Sequence, residues 1–519
     1  MEKYQKLIRF IQKSEVIIFG AGNMGKSAYY FCKKLGIEPL FFLDNAPGKA
    51  GTLFQGKQVY LPEKEMIKSI NSIFIVANQY PDEIKLQLLS MGILPEKIYS
   101  FNEILQSISH DTKVKREQVI YYPVFDNDYE LTNHYYRACW YLPKENNSLE
   151  SVYLYAEDCN LLSKPDYMGS SNVSTKHIVI EKDVKDYKEN LEKSKVILVW
   201  RNISDEERLE LELKGGIVVD VDTENDEAKE YGRYCSLIWQ FFKTEQEKKD
   251  IIEKSYRKFC DAAKQIKARN LHVGCVFGTG PSLESSYEYD FSDCLCIVCN
   301  SIVQNKKLLN HINPFFVTAG DVVSHLGVCL YAEKFRKDLL NYMTDSQVYF
   351  LTTASFGYLL VEQCPAIEKK IILVEQQLDT QNYNLLDQFA LPKLDSTLNI
   401  HMLPIVHTFC DKIYINGCDG KRPDVNNEDF WAHAETAQYL KLVDTGHRCH
   451  PTFDRNRQKS TYSRYQDSTL TSIQCGEKEH GKTYYTLKQS YIDALKDKKM
   501  VDSGIGPFNK KEQLVLSKL

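Results

Sequence analysis

A short glycine-rich loop carries the clearest chemical signal in this sequence. The apolar run Val273–Phe277 is followed by Gly278, Thr279, Gly280, Pro281 and Ser282. Glycines lack a Cβ atom, so the backbone can turn tightly and lie close to a ligand, while the proline fixes φ and the serine offers a hydroxyl and a helix cap. Such loops present backbone N–H groups to phosphate oxygens, although the same residues also serve as a plain strand-to-helix turn.

Other apolar runs that end in polar residues must position this loop. We expect buried strands at 295–299, 314–318, 347–351, 371–374 and 412–416. The first of these ends in Asn300 and Ser301, and the last is followed by a Gly-Cys-Asp turn that contains Asp419. Because strands of this kind are typical of a parallel α/β sheet, the ligand crevice is expected outside their carboxyl ends.

The order and spacing of these motifs resemble a known family. The segments FGTGPSL, IVCNS and LDSTLNIHMLPIVHTFCDKIYINGCDG are similar to the motility-associated factor (Maf) glycosyltransferases of bacteria. More distantly, they resemble the bacterial sialyltransferases that modify lipooligosaccharide. The resemblance covers residues 270–495. The sequence departs from the family at Asp395, Ser396 and Thr397, where the family usually has a glycine.

The resemblance implies transfer of a nonulosonic acid, such as a sialic, pseudaminic or legionaminic acid, from a CMP-activated donor. The implied acceptor is a hydroxyl of a surface glycan or of flagellin. No metal is required, because CMP is already a good leaving group. The implied substrate-binding residues are Gly278, Thr279, Gly280, Pro281, Ser282, Asn300, Ser301, Ser396, Thr397 and Asp419.

The resemblance also directs the search for a general base to the histidines late in the chain. An unperturbed imidazole titrates near neutrality, so it can accept the proton of the acceptor hydroxyl. His480 matches by position, in a short loop before a predicted final helix at 487–495. His450 is the rival, in a region where Tyr462 and Tyr465 are expected to belong to a lid that stabilises the departing phosphate.

A second glycine pattern lies near the N-terminus. The apolar run Val16–Phe19 is followed by Gly20, Gly22 and Gly25 in the spacing G-x-G-x-x-G. The next apolar run ends in Asp44, at about the distance expected of an acid that binds a ribose. An NAD-like ligand is therefore considered for this region, but no catalytic partner with clear spacing accompanies it. A Rossmann-like docking module that binds nothing is the alternative.

Together these runs predict a multidomain α/β protein of Rossmann-like parallel sheets with flanking helices. A charged helical segment separates the resembling region from two further α/β regions. The predicted parts are a Rossmann-like N-terminal domain at 1–112, a middle α/β domain at 118–245, a connecting helix at 246–271 and a catalytic domain at 272–519. The sialyltransferase-like, GT-A-like character of the last part is implied by the resemblance alone.

The composition of the sequence limits the classes of binding partner and the cellular compartment that we expect for the protein. A net charge of −5 argues against a broad nucleic-acid-binding face. The 15 cysteines show no repeated zinc-finger spacing, which favours a reducing compartment and no metal site. The sequence shows no membrane-spanning apolar run and no signal-peptide core. We expect a cytoplasmic enzyme, compatible with peripheral contact at the inner membrane face and with a homo-oligomer.

Two other functions stay open at this point. The glycine loop and the strand before Asp419 also resemble an archaeal-type pterin pyrophosphokinase, an enzyme that would need Mg²⁺ and ATP. The sequence shows no clear pair of carboxylates beside the loop to hold that metal. The remaining alternative is a non-catalytic module that binds a nucleotide through the N-terminal glycine pattern.

Overall fold

The computed structural model describes residues 10–64, 67, 72–78, 81–108, 118–142, 149–169, 177–214, 216–221, 234–422, 432–449, 459–498, 500 and 508–509. Within these residues the protein is a mixed α/β chain with three mainly parallel sheets and many helices. It divides into two compact units, each built from separate stretches of the sequence. The first comprises Met1–Asp126, Leu149–Cys159 and Val179–Asp222, and the second comprises Asn127–Ser148, Asn160–Ile178 and Thr223–Leu519.

The first unit is built around two sheets. In spatial order, the first sheet contains Leu53–Phe54, Lys57–Tyr60, Phe42–Leu43, Val16–Phe19, Ile73–Val76 and Ile98–Ser100. The second contains Ile217–Asp220, Ser194–Val199, Gln118–Tyr122, Ser151–Tyr155 and Ile178–Glu181. The helices are Asn23–Lys34, Pro81–Ser90, Phe101–Ile108, Tyr187–Lys193 and Asp205–Leu213. Leu209 packs in one apolar core with Phe31 and Ile75, so the predicted domains 1–112 and 118–245 both contribute to this unit.

The second unit is built around one sheet of seven parallel strands. In spatial order these are Ile371–Val374, Tyr349–Thr353, Phe316–Thr318, Cys294–Cys299, Val273–Phe277, Lys412–Asn416 and Thr483–Thr486. Its helices are Asp128–Tyr141, Glu245–Ala268, Lys306–Ile312, Leu330–Asp345, Ala354–Gln363, Leu403–Phe409, Val443–Cys449 and Lys459–Glu479. Two small pairs, Tyr289–Asp290 with Phe508–Asn509 and Gln376–Leu378 with Leu391–Pro392, complete the sheets.

Short helical turns connect these elements. They are Pro47–Lys49, Pro95–Lys97, Val184–Asp186, Ile238–Phe242, Pro281–Glu288, Asn300–Gln304, Pro365–Lys370, Leu398–Met402, Glu435–Ala437 and Leu440–Leu442. None of the helices in the described part of the chain is long and apolar enough to cross a membrane.

The strand order of the seven-stranded sheet creates a switch point at Val273–Phe277. From this strand the chain adds strands on one side as far as Ile371–Val374, then returns to place Lys412–Asn416 on the other side. Phe277 is in register with Val298 on one neighbour and with Asn416 on the other. The loops after these three strands therefore begin at the same level, where ligands bind in sheets of this kind.

The helix Glu245–Ala268 belongs to the second unit and packs on its sheet. It begins with a capping box in which Thr244 and Glu247 bond each other's backbone N–H groups. Its buried face includes Phe259, whose ring packs 6.2 Å from that of Phe316 in the sheet. A helix thus occupies most of the segment 246–271, which the sequence predicted as a connecting helix, and it packs on the sheet of the second unit.

A second helix of this unit, Asp128–Tyr141, precedes the strands of the seven-stranded sheet by more than a hundred residues. The indole of Trp140 donates to the carbonyl of Leu326 over 2.8 Å, and the guanidinium of Arg336 lies 3.9 Å from the Trp140 ring centre. Arg137 is fully buried and donates to the carbonyl of Cys449. Hydrogen bonds to backbone carbonyls satisfy these buried donors, as burial requires.

The predicted final helix at 487–495 is wrong. Residues 487–495 form turns, and the long helix of this region is Lys459–Glu479, before the last strand of the sheet. The hydroxyl of Ser490 donates to the carbonyl of Cys418, and the N–H of Tyr491 donates to the carbonyl of Asp419. These bonds to a neighbouring loop replace the helical pattern, and they bury Leu487 and Ile492 without a helix.

Candidate functional site

A cavity of about 540 Å³ lies at the carboxyl ends of the central strands of the seven-stranded sheet. Loops that are far apart in the sequence meet there. Its lining residues are 278–280, 299–301, 321–325, 331, 396–398, 402, 417–420, 432, 433, 438, 443, 446, 447, 465 and 492. Gly280, Asn300 and Asp419, which were expected to adjoin one crevice, all line this cavity.

Two glycine turns interlock at the base of the cavity. The N–H groups of Gly278 and Gly280 donate to the carbonyls of Asn416 and Gly417 over 2.8 and 2.7 Å. A Cβ atom on Gly278 would lie 2.4 Å from the carbonyl oxygen of Gly417, and one on Gly417 would lie 2.1 Å from that of Gly278. Gly417 also has φ +68°. The glycines are therefore required by the contact between the two turns.

Asp419 fastens the same two turns together. Its carboxylate oxygens accept the N–H of Ser282 over 3.1 and 3.2 Å, and the hydroxyl of Ser282 accepts the N–H of Gly417 over 3.0 Å. Burial raises the pKa of Asp419, although the bonds from Ser282 oppose that shift. The expectation that this loop offers its N–H groups to a phosphate does not hold for Gly278, Gly280 and Ser282, whose N–H groups bond the neighbouring turn.

The polar wall of the cavity is formed by the turns after two other segments. The hydroxyl of Thr397 lies 3.4 Å from the amide oxygen of Asn300, and the hydroxyls of Ser301 and Tyr331 lie 2.8 Å apart. Asn300 and Ser396 have positive φ values of 53° and 76°. Ser396 thus adopts the left-handed conformation that favours glycine, within the stretch 395–397 where the family that the sequence resembles usually has one.

Three histidines line the cavity. Nδ1 of His433 lies 2.8 Å from the hydroxyl of Thr279, and His447 reaches the cavity from the helix Val443–Cys449. His325 lies in the turn that follows the strand Phe316–Thr318, next to Asp321. His433 and His447 belong to the histidines late in the chain to which the sequence directed the search, but His480 and His450 were selected there.

Sequence reasoning selected neither Asp321 nor His325 as a site residue. The signal for Asp321 was present, because the polar end of the strand Phe316–Thr318 follows the same pattern as the ends that were selected. Its carboxylate accepts the N–H groups of Val323 and Ser324, which shapes the turn. Burial lowers the pKa of His325 to about 4, with opposing charge from Asp321 and a further lowering from His433.

His480 is not brought to the cavity. It precedes the strand Thr483–Thr486, which runs parallel to Lys412–Asn416, so it lies at the amino ends of the strands. The length of a five-residue strand separates the two edges of the sheet by about 15 Å. The ring of His480 stacks on that of Tyr383 with the ring centres 3.8 Å apart, and one of its ring nitrogens lies within 4.8 Å of the thiol of Cys475 and of a carboxylate oxygen of Glu479. The matching helix that motivated its assignment as a base is also absent at 487–495.

The expected lid residues have different outcomes. His450 lies outside the described residues. Tyr465 belongs to the helix Lys459–Glu479, is buried and lines the cavity as part of its wall. The hydroxyl of Tyr462 accepts the N–H of Lys421 over 2.9 Å and is not among the cavity-lining groups. Pro281 likewise shapes the turn without lining the cavity.

The N-terminal glycine pattern forms a tight turn whose acid is already engaged. Gly20 has φ +120°, and a Cβ atom on Gly25 would lie 2.0 Å from the carbonyl oxygen of Gly20. Around Gly22 there is open space. The carboxylate of Asp44 accepts the N–H of Ala21 over 2.8 Å and the ammonium of Lys49 over 3.0 Å. These bonds hold the acid against its own turn, and its role in binding the ribose of an NAD-like ligand stays a prediction.

The comparisons with known proteins concern this first part of the chain. Residues 12–99 match the family model described as C2185-like, N-terminal, which coincides with the first sheet. No curated protein is detectably similar to the chain.

Proposed function

We propose that the protein is a glycosyltransferase of the Maf or sialyltransferase type, which moves a nonulosonic sugar from a CMP-activated donor to a glycan or flagellin hydroxyl. One observation carries this proposal. Residues that match the resembling motifs, and that span more than a hundred positions of the sequence, line a single cavity at the switch point of a parallel sheet. Gly280, Asn300, Thr397 and Asp419 represent the four segments.

The proposed reaction is a substitution at the anomeric carbon of the donor sugar. The acceptor oxygen forms a bond to that carbon, the bond from the carbon to the phosphate oxygen breaks, and CMP leaves with the electron pair. The acceptor proton passes to a general base, for which we propose His433. Its Nδ1 is held by the hydroxyl of Thr279, which orients the ring within the cavity. His447 is the alternative base.

Two carboxylates in the cavity are relevant to the pyrophosphokinase-like alternative, which needs carboxylates to hold Mg²⁺. Asp321 and Asp419 both line the cavity, and the sequence alone did not indicate that two carboxylates would meet there. Each accepts N–H groups of its own chain, Asp321 from Val323 and Asp419 from Ser282. This use of the carboxylates in shaping the turns favours the transferase proposal over a Mg²⁺-ATP site.

Ligand-dependent stabilisation tests the proposal directly. Thermal unfolding is measured with CMP, CDP, UDP, ATP and NAD, each with and without Mg²⁺. A ligand at one hundred times its dissociation constant stabilises the folded state by about 2.7 kcal/mol. We expect CMP to stabilise without Mg²⁺. Stabilisation by ATP only in the presence of Mg²⁺, and none by CMP, would refute the proposal in favour of the pyrophosphokinase-like alternative.

A second measurement tests the base. Release of CMP is followed with CMP-sialic acid as donor and a glycan acceptor. Loss of a general base lowers the rate by about 10²–10⁴-fold. His433→Ala is expected to show that loss with nearly unchanged CMP affinity, and His447→Ala a smaller one. If neither variant is impaired, the histidine mechanism is wrong.

A cytoplasmic location is part of the same proposal. All 15 cysteines are free, and those of the central strands are buried. Unpaired cysteines in this number are typical of a reducing compartment. A nucleotide-activated donor would be supplied there as well.

A further inference from the structure

His325 occupies an unusual position in the cavity. Only 5% of the residue is exposed, yet it contributes to the cavity wall. Its ring is held by apolar packing, with the ring centre of Phe335 at 4.7 Å and that of Tyr331 at 6.4 Å, both nearly edge to face. The side chain is therefore fixed in place by its surroundings without a polar anchor.

Neither ring nitrogen of His325 has a hydrogen-bond partner among the described residues. Nδ1 is enclosed by protein and unpaired. The backbone of the residue is bonded, since its N–H donates to the carbonyl of Asp321 and its carbonyl accepts from the guanidinium of Arg336. Because a buried polar side chain normally has a partner, an unpaired imidazole in a cavity wall points to a ligand that completes it.

The protonation state of the ring follows from its burial. Burial disfavours the charged form and lowers the pKa of His325 to about 4, so the imidazole is neutral at cellular pH. Two charged groups lie near the His325 residue. The carboxylate of Asp321 accepts two backbone N–H groups, and the guanidinium of Arg336 donates to the backbone carbonyl of His325. His433 faces it from another segment of the cavity.

The tautomer follows from the enclosed nitrogen. A neutral imidazole has one N–H donor and one acceptor nitrogen. Among buried backbone groups an unpaired N–H is rarer than an unpaired acceptor, and we apply the same preference to the ring nitrogens. Placing the acceptor at the enclosed Nδ1 leaves the proton on Nε2, the nitrogen available to the cavity. The cavity thus contains a neutral donor that does not titrate near neutral pH.

We infer that His325 is an oxyanion-binding residue, which donates an Nε2–H hydrogen bond to a phosphate or carboxylate oxygen of the bound ligand. Among the described residues that line the cavity there is no lysine or arginine, so within this set the donors for an anionic ligand are histidines, hydroxyl and amide groups, and backbone N–H groups. Anionic oxygens are the strongest acceptors for such a donor. Only the identity of the ligand, a CMP-activated sugar acid, rests on the function proposed above.

Two variants distinguish the role of the His325 side chain as a hydrogen-bond donor from its role in packing against neighbouring rings. His325→Phe keeps a ring against Phe335 and Tyr331 but removes the donor. His325→Gln restores a neutral N–H donor near the position of Nε2. Binding of CMP, inorganic phosphate, pyrophosphate, ATP and free N-acetylneuraminate is measured by calorimetry for the wild type and both variants. Thermal unfolding confirms that each variant is folded.

We expect His325→Phe to weaken binding of the responsive anion roughly tenfold, as loss of a hydrogen bond to a charged group predicts, and His325→Gln to remain within about threefold of the wild type. A loss confined to the phosphate compounds identifies the phosphate as the ligand group, and a loss confined to the sugar acid identifies the carboxylate. Nitrogen NMR shifts of the ring report the tautomer, and a proton on Nδ1 would contradict the assignment.

The outcomes also separate this inference from the proposed function. If CMP does not bind but another phosphate compound binds and depends on His325, the proposed function fails and the inference stands. If CMP binds the wild type, and both CMP and N-acetylneuraminate bind His325→Phe as well as they bind the wild type, the function stands and the inference is overturned. The inference is also overturned if His325→Gln is as weak as His325→Phe, or if none of these anions binds the wild type.

Discussion

Replacing Gly280 by alanine tests the interlocked glycine turns at the base of the cavity. A Cβ atom at this position would lie 2.1 Å from Oδ2 of Asp419 and 2.8 Å from the carbonyl oxygen of Gly417. The first separation is more than 1 Å shorter than an ordinary carbon–oxygen contact. The Asp419 carboxylate must therefore move away from the N–H of Ser282, which it accepts in the native state.

The expected cost combines two effects. Overpacking of a well-packed site typically costs about 1–3 kcal/mol. Loss of a hydrogen bond to a charged group costs about 1.5–3 kcal/mol. Because the carboxylate relieves the clash by giving up that bond, the two effects overlap, and we expect Gly280→Ala to lower the free energy of unfolding by about 2–5 kcal/mol. CMP affinity should fall as well, since the displaced turn carries Thr279.

The chain offers a matched control in the same cavity. Gly446 lies in the helix Val443–Cys449, and a Cβ atom there would meet only Val323, at 3.9 Å. Alanine is favoured over glycine in a helix by about 1 kcal/mol. Gly446→Ala should therefore be as stable as the wild type or slightly more stable.

Urea unfolding, followed by far-ultraviolet circular dichroism and by tryptophan fluorescence, measures both variants. Gly280→Ala is expected to lower the free energy of unfolding, whereas Gly446→Ala is expected to leave it unchanged or to raise it. A Gly280→Ala protein with the unfolding midpoint and CMP affinity of the wild type would contradict this expectation, because the two turns could then separate at no cost.

Substitutions at three other positions of the second unit also have defined expected outcomes. Ser396→Gly should raise the free energy of unfolding by up to about 1 kcal/mol, because it relieves a left-handed conformation, whereas Ser301→Gly, which removes a hydroxyl bonded to Tyr331, should lower it in the same urea assay. Burial lowers the pKa of His407 to about 3, below its unfolded value near 6.5. Its contribution to stability is thus complete above pH 6.5 and falls by about 1.4 kcal/mol per pH unit below it, so His407→Gln should flatten the loss of stability measured between pH 7.5 and 5.5. His480→Ala should leave the rate of CMP release unchanged, since the residue lies at the edge of the sheet opposite to the cavity. A strong fall in that rate would instead indicate His480 as the general base.

Much of the sheet could be predicted because its central strands are buried on both faces. Runs such as Val273–Phe277 and Cys294–Cys299 consist almost entirely of apolar residues, the pattern that parallel strands produce. When adjacent strands are parallel, the residues that follow their carboxyl ends lie at the same edge of the sheet and close to one another. This is why Gly280, Asn300 and Asp419 could be assigned to one crevice from spacing alone.

The contacts within the crevice could not be predicted in the same way. Whether the N–H groups of Gly278 and Gly280 face a ligand or a neighbouring turn depends on a segment more than a hundred residues later in the chain. The same turn holds Ser490 and Tyr491, which prevents the apolar spacing around them from forming a helix. His325 had no sequence signal, because its significance comes from an unpaired nitrogen that only packing reveals.

The helix Asp128–Tyr141 has a consequence for the order in which the protein can fold during synthesis. It is synthesised before the segments that it contacts, and its Trp140 and Arg137 acquire their partners only when Leu326 and Cys449 have been added to the chain. A fragment that begins at residue 272 would lack this helix and would leave the carbonyls of Leu326 and Cys449 without their donors. Residues 272–519 by themselves are therefore expected to be less stable than in the whole chain, and binding should be measured on the whole chain.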